Sequence, residues 1–129
     1  MLKIIDCTSE YWDFVRTLRN DDRVQDGFIE KVRITTEQQK IYMEKNSIFY
    51  RICTLDNNPV GFVGVIENDL RICTHPDHQN KGIGKFMISK AMEIFPDAYG
   101  KVKINNLQSR NLFKSSGFEE SFIIYTKIK

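Results

Sequence analysis

The stretch Leu70-Arg71-Ile72-Cys73-Thr74-His75-Pro76-Asp77-His78-Gln79-Asn80-Lys81-Gly82-Ile83-Gly84-Lys85 carries most of the chemistry in this sequence. A short apolar run stops at a proline, and a loop with two glycines feeds an amphipathic segment. There, Ile83, Met87, Ala91 and Ile94 form one helical stripe, with Lys85, Ser89 and Glu93 opposite. The first amides of a helix have no partner within it, and the macrodipole adds partial positive charge at that end. Gly82 and Gly84 bring no side chain to keep a phosphate at a distance, and Lys81 and Lys85 add full charges. Such a bend can cradle a diphosphate. Two nucleotide patterns fail: a P-loop would need glycine at Gln79 and Ser or Thr at Phe86, and GxGxxG would need glycine at Met87. On shape alone, a plain strand-to-helix turn is an equal reading.

Other reactive residue types cluster nearby. Glu67 and Asp69 border a turn that enters the same strand, where a carboxylate could take a proton; any exposed turn has the same composition. His75 and His78 flank Pro76 with no enforced common face and read as loop residues. Cys73 has no base spaced to activate it and reads, like Cys7 and Cys53, as a small buried hydrophobe. Three cysteines cannot all pair, and none makes a CxxC spacing, so a reduced, cytoplasmic setting without a metal is expected.

The elements that must hold these residues follow from periodicity and breakers. A strand is expected over 2–7, a helix from Thr8 or Ser9 to about Asn20, and a second from Thr35 or Thr36 to about Asn46. Strands follow over 47–55 and 60–66, with a tight turn at Asn68-Asp69 into a third over 70–74. A helix over 82–95, a strand over 102–104, a helix over 108–116 closed by Gly117 and a final strand over 118–128 complete the order β-α-α-β-β-β-α-β-α-β. That is an α/β chain: a mixed sheet flanked by helices, one domain over residues 1–129.

Lys+Arg 19 against Asp+Glu 17 leaves a formal charge of +2, too little for the field of a nucleic-acid binder. Apolar runs are far shorter than the ~20 residues of a membrane span, so neither nucleic acid nor a membrane is expected as a partner.

Gln79-Asn80-Lys81-Gly82-Ile83-Gly84, after a strand and His75-Pro76, resembles the acetyl-CoA signature Q/R-x-x-G-x-G/A of the GCN5-related N-acetyltransferases (GNAT). Asn106-Leu107-Gln108-Ser109-Arg110-Asn111-Leu112-Phe113-Lys114-Ser115-Ser116-Gly117-Phe118 is similar to that family's N-x-x-S-x-x-L-[YF]-x-x-x-G-F segment. The resemblance implies a GNAT-like sheet that splays between the cofactor strand and the next, with acetyl-CoA as co-substrate. Main-chain groups of Ile72, Cys73 and Thr74 would bond the pantetheine arm, one amide there would polarise the thioester, and Gln79, Asn80, Lys81, Gly82, Ile83, Gly84 and Lys85 would hold the pyrophosphate. Asn106 would bond the arm from the other side, while Ser109 and Phe113 would cover the thiol end. Arg110 and Lys114 would meet the 3′-phosphate or form a solvated face.

The reaction implied is direct attack of a primary amine on the thioester, with Glu67 or Asp69 as base. The family commonly protonates the departing thiolate with a tyrosine; this chain has Phe113 there, so Tyr125, Ser109 or water would have to serve. Residues 18–24 and 34–39 resemble the acceptor stretch of surface-polysaccharide aminosugar acetyltransferases and also that of ribosomal-protein N-terminal acetyltransferases. Arg19, Arg33 and Phe28 would suit an anionic or sugar acceptor. The expectation is a small-molecule amine acceptor, an aminosugar nucleotide foremost. A protein N-terminal or lysine acetyltransferase, or an inactive CoA-binding sensor, are the alternatives. The alternating Phe122 to Tyr125 run could also form the pairing edge of a homodimer.

Overall fold

The computed structural model describes residues 1–29 and 31–129. The chain forms β1 (Leu2–Asp6), α1 (Trp12–Asn20), α2 (Asp22–Gln25), α3 (Thr36–Asn46), β2 (Tyr50–Leu55), β3 (Asn58–Ile66), β4 (Asp69–Thr74), α4 (Ile83–Ile94), β5 (Tyr99–Gly100) and α5 (Leu107–Ser115). The strands make one sheet in the order β1-β2-β3-β4-β5, antiparallel except for the parallel β4–β5 pair. A mixed α/β sheet flanked by helices is therefore present.

Its two faces carry separate cores. Val60, Val63, Val65, Leu70, Ile83, Met87 and Ala91 pack under α4, because the 3.6-residue stripe of α4 meets the β-branched face of β3. Cys7, Val15, Leu18, Met43, Tyr50, Ile52, Phe62 and Cys73 form the second core under α1 and α3. α3 is capped at the first of the two threonines expected, with a capping box: the Thr35 side chain accepts from the Gln38 amide at 3.1 Å, and the Gln38 side chain accepts from the Thr35 amide at 2.9 Å.

Four expectations are corrected. No strand forms over 102–104; β5 is instead Tyr99–Gly100, fixed by the Tyr99 amide donating to the Asn68 carbonyl at 2.8 Å. The final strand over 118–128 is likewise not formed among the described residues, because the segment meets no ladder partner. Residues Ser47–Phe49 make a 3₁₀ turn rather than the start of β2. The turn before β4 lies one residue early: Glu67 (φ 52°) and Asn68 (φ 67°) take the left-handed conformation, and Asp69 already pairs with Ile66.

Candidate functional site

β4 and β5 share only two residue pairs, Asp69 with Tyr99 and Leu70 with Gly100, after which they part. On its other side β4 stays bonded to β3, ending with the His75 amide donating to the Val60 carbonyl at 2.7 Å. Alternation along an antiparallel ladder then turns the main-chain groups of Cys73 toward Phe62 and those of Ile72 and Thr74 to the open edge. Of the three residues expected to bond a pantetheine arm, Ile72 and Thr74 have the geometry. Cys73 does not: its backbone faces β3 and its side chain is 8% exposed in the second core.

The open edge runs directly into the loop before α4. Gln79 donates from Nε2 to the Thr74 carbonyl at 3.3 Å and accepts at Oε1 from Gln108 at 2.5 Å, linking β4 to α5. Asn80 (φ 62°) and Gly82 (φ 75°) are left-handed, which turns the chain sharply into the helix. The first bond of the α4 ladder is the Phe86 amide to the Gly82 carbonyl, so the amides of Ile83, Gly84 and Lys85 precede it. A Cβ on Gly82 would meet nothing within 4 Å, whereas one on Gly84 would lie 2.9 Å from Leu112 Cδ2. The bend is open at Gly82, while Gly84 packs against the Leu112 side chain of α5.

α5 closes the other side. The Asn106 Oδ1 caps it by accepting from the Ser109 amide at 3.1 Å, leaving Nδ2 reaching the Gly27 carbonyl at 3.5 Å. Phe113 lies over Gly100, where β5 leaves β4, and meets Phe118 edge to face at 5.2 Å. Arg110 and Lys114 both bond Glu120, at 2.8 and 3.2 Å, and so are not free cations for a phosphate. Between α4 and α5, a groove of about 310 Å³ is lined by Lys85, Ser89, Ser115 and Ser116, among others.

On the opposite face of β4, Asp69, Arg71 and Cys73 point toward α1 and α3. The Tyr50 hydroxyl lies 2.7 Å from that of Tyr42, and the Arg71 guanidinium sits against this pair, with Nε 3.9 Å from Asp69 Oδ2. Burial, reinforced by Tyr42, pushes the Tyr50 phenol well above its ordinary value and keeps it protonated. Arg19 is near enough to Tyr50 and Cys73 to act on both, but burial outweighs it and pushes the Cys73 thiol up to about 12. A nucleophilic thiolate is excluded there.

The loop between α2 and α3 is held by two amide side chains. Asn20 donates to and accepts from the Ile34 backbone at 2.8 Å, and Gln25, 5% exposed, bonds the Val32 amide and carbonyl and the Arg19 carbonyl. A cleft of about 470 Å³ opens beside it, lined by Asp22, Asp26, Lys31 and Arg33 among others. Arg33 pairs with Asp22, and Phe28 packs against the second core instead of presenting a ring face, so neither is free in the way expected. Glu67 is exposed at the turn, while the Asp69 side chain is 20% exposed. Tyr125 is 90% exposed and the structure does not bring it to the site. His75 accepts from the Asp77 amide at 3.1 Å, a loop role.

The sequence model of the acetyltransferase (GNAT) family matches residues 11–118. This chain is a GNAT acetyltransferase. It is an N-acetyltransferase that uses acetyl-CoA with amine acceptors. Among solved structures, a spermidine N-acetyltransferase from Vibrio cholerae in complex with CoA and spermine superposes with a TM-score of 0.80, at 19% identity, over 94% of this chain and 82% of that one. The aminoglycoside N-acetyltransferase AAC(6')-Iy in complex with CoA gives 0.75 at 14% identity, over 100% and 95%. The ribosomal L7/L12 α-N-protein acetyltransferase RimL in complex with CoA gives 0.74 at 12%, over 91% and 79%. No curated protein matches the sequence.

The open edge of β4 in this GNAT chain and its left-handed Gly82 fit a CoA arm and diphosphate. Among the described residues no group of three or more His, Cys, Asp or Glu could hold a metal ion, and no helix is long and apolar enough to cross a membrane. Arg71, Tyr50 and Tyr42 escape a reading of the sequence because they come from three elements. The signal available was Arg71 itself, a charge set between the apolar Leu70 and Ile72.

Proposed function

We propose that this acetyltransferase acts on the primary amine of an aminosugar nucleotide, by direct attack on the acetyl thioester. The observation that carries the reading is the open edge that runs from the Ile72 and Thr74 backbone to the Gly82 bend. Along it, Ile72 and Thr74 bond the pantetheine arm as an added strand would. The amides between Asn80 and Lys85, with the Lys81 charge, take the pyrophosphate. The groove between α4 and α5 beside Lys85 receives the nucleotide end. Gln79 holds the loop to β4, while Asn106, Ser109 and Phe113 wall the arm from α5. Acetyl-CoA supplies an activated acyl group on a good thiolate leaving group.

The amine must be neutral to attack, and alkylamines resemble lysine with a pKa of about 10.4. Asp69, in the first of the two residue pairs that join β4 to β5, takes the proton; Glu67 turns away into solvent. Phe113 has no proton to give, so water or Ser109 protonates the thiolate. Arg71 and Arg19 beside the Tyr42–Tyr50 pair favour an anionic, ring-bearing acceptor, since guanidinium forks suit phosphate oxygens. A polyamine would need unpaired carboxylates, and Asp21, Asp22 and Asp26 are each paired, with Arg23, Arg33 and Lys31. The three free, buried cysteines support a reducing, cytoplasmic setting.

Acetyl-CoA titration followed by thermal unfolding tests the first half: at 100-fold above Kd, one-site binding adds about 2.7 kcal/mol. Release of free CoA thiol is then measured with an aminosugar nucleotide, the free aminosugar, spermine and a peptide with a free N-terminus. Turnover confined to the aminosugar nucleotide supports the proposal. Turnover of the peptide replaces it with protein N-terminal acetylation, and binding without thiol release with any amine leaves a CoA sensor.

A further inference from the structure

Among the described residues, the guanidinium groups of Arg16, Arg23, Arg33, Arg51 and Arg110 each donate to a carboxylate or a carbonyl. Those of Arg19 and Arg71, both half-buried, make no hydrogen bond there. Asp69 stands beside Arg71, but its Oδ2 is 3.9 Å from Nε, beyond hydrogen-bond reach. Asp21, the other carboxylate close to this face, is already bonded by Arg23 at 2.7 Å. Arg19 comes from α1 and Arg71 from β4, and both act on the Tyr50 hydroxyl. Partly desolvated cations without an acceptor are costly. Two of them facing one hydroxyl from different elements are placed for an anion that the chain itself does not supply.

The sheet register builds a third donor beside them. Tyr50 on β2 pairs with Gly64 on β3, and Gly64 with Arg71 on β4, so the three form one row on one face. Gly64 lets that row close. A Cβ there would lie 2.5 Å from Tyr50 Cδ1 and Cε1, so the ring lies across β3 and carries its hydroxyl toward Arg71. The same hydroxyl is 2.7 Å from that of Tyr42 on α3. A guanidinium offers only protons, so it faces the lone pairs of the Tyr50 oxygen and turns the Tyr50 proton toward Tyr42. Tyr42 therefore accepts, and its own proton, on a half-buried ring, is left to donate elsewhere. We propose that Arg19, Arg71 and Tyr42 clamp a phosphate group of the amine substrate, with Tyr50 as a positioning residue that aims the Tyr42 proton. The Arg71 side chain is 40% exposed in mid-sheet, so the face stands open above it. In assigning the phosphate to the amine substrate, the clamp rests on the acceptor reading above; the three donors do not.

Calorimetric titration of inorganic pyrophosphate into the CoA-saturated chain tests the clamp, because the Gly82 bend is then already occupied. One further site should appear. Arg19→Gln and Arg71→Gln should each weaken its Kd about tenfold or more, as loss of a charged donor does, and Tyr42→Phe several-fold. The CoA Kd should not move. Arg71→Lys keeps the charge without the fork and should recover part of the affinity, which separates loss of the donor from loss of the fold. Tyr50→Phe should match Tyr42→Phe, and the double variant should be no weaker than either, since one hydroxyl acts through the other. No pyrophosphate site beside CoA overturns the proposal, as does a Kd left unchanged by any one of these three single substitutions at Arg19, Arg71 or Tyr42. Additive losses at the two tyrosines, or a Tyr50→Phe variant that loses Tm with its pyrophosphate Kd intact, overturn the positioning role. Turnover separates the clamp from the acceptor reading. If pyrophosphate binds as described and no aminosugar nucleotide is acetylated, the acceptor reading falls and the clamp's donors stand. If the nucleotide is acetylated with its KM untouched in both arginine variants, the clamp falls and the acceptor reading stands.

Discussion

Gly84 on α4 receives the side chain of Leu112 on α5: a Cβ at Gly84 would lie 2.9 Å from Leu112 Cδ2 and 3.4 Å from Cδ1. Two residues earlier, Gly82 faces open space and holds φ at 75°. The two glycines of one motif thus serve different ends, a helix contact and a turn. Gly84→Ala should cost about 1–3 kcal/mol as overpacking, and Leu112→Ala should relieve much of that clash in the double mutant. Gly82→Ala should cost about 1–2 kcal/mol for its left-handed backbone and weaken acetyl-CoA binding by constricting the bend. Thermal unfolding of the four variants with and without acetyl-CoA measures both effects. Strictly additive losses at Gly84 and Leu112 would contradict the contact.

Asp69 and Glu67 differ in where they point, and the pH profile separates them. Asp69→Asn should lower kcat by about 10²–10⁴, the usual worth of a general base, and flatten the rise of rate with pH. Glu67→Gln should leave both nearly unchanged, since an exposed turn residue away from the splay has no proton to collect. A profile lost in Glu67→Gln and kept in Asp69→Asn would reverse the assignment.

What was legible in the sequence is what depends on neighbours in the chain. The cap of α3 at Thr35, the Ile83, Met87 and Ala91 stripe of α4 and the Gly82 bend are local, and each forms where periodicity and breakers place it, while Ile94 at the end of that stripe is exposed. Strands over 102–104 and 118–128 were wrong because a β pattern states a preference and not a partner; the Tyr99–Asn68 bond decides where β5 lies. The turn at Glu67-Asn68 slipped by one residue because three successive polar residues all tolerate it. At the site, the cofactor loop was readable as a contiguous motif. The Tyr42, Tyr50 and Arg71 cluster was not, since these side chains meet only once α3, β2 and β4 have packed.

Buried thiols make stability depend on alkaline pH. Burial pushes Cys7 and Cys53 up to about 11 and Cys73 up to about 12, from 9.0. In the unfolded chain thiols lose their protons near pH 8.5, while the fold retains them, so rising pH favours the unfolded state. The contribution is whole below that value and drains away as pH climbs toward 11 and 12; the Tyr50 phenol acts in the same direction. Tm should be nearly flat between neutrality and about pH 8.5, then fall. Cys73→Ala should show a shallower fall, and an identical slope in that variant would mean the thiol is not held as described.

Gln25 offers a test of whether the loop before α3 shapes the acceptor side. Its amide is 5% exposed and makes two bonds to Val32 and one to the Arg19 carbonyl, fixing the loop against the end of α1. Gln25→Ala leaves buried main-chain groups unpaired, which costs about 1–3 kcal/mol each where water cannot enter. Because Arg19 is displaced with the loop, KM for the amine should rise several-fold while the acetyl-CoA Kd stays put, as the cradle at Gly82 lies on the other side of β4. Gln25→Glu keeps one acceptor and loses the donors, so it should restore little. If acetyl-CoA affinity falls along with amine affinity, the loop supports the whole site and not the acceptor side alone.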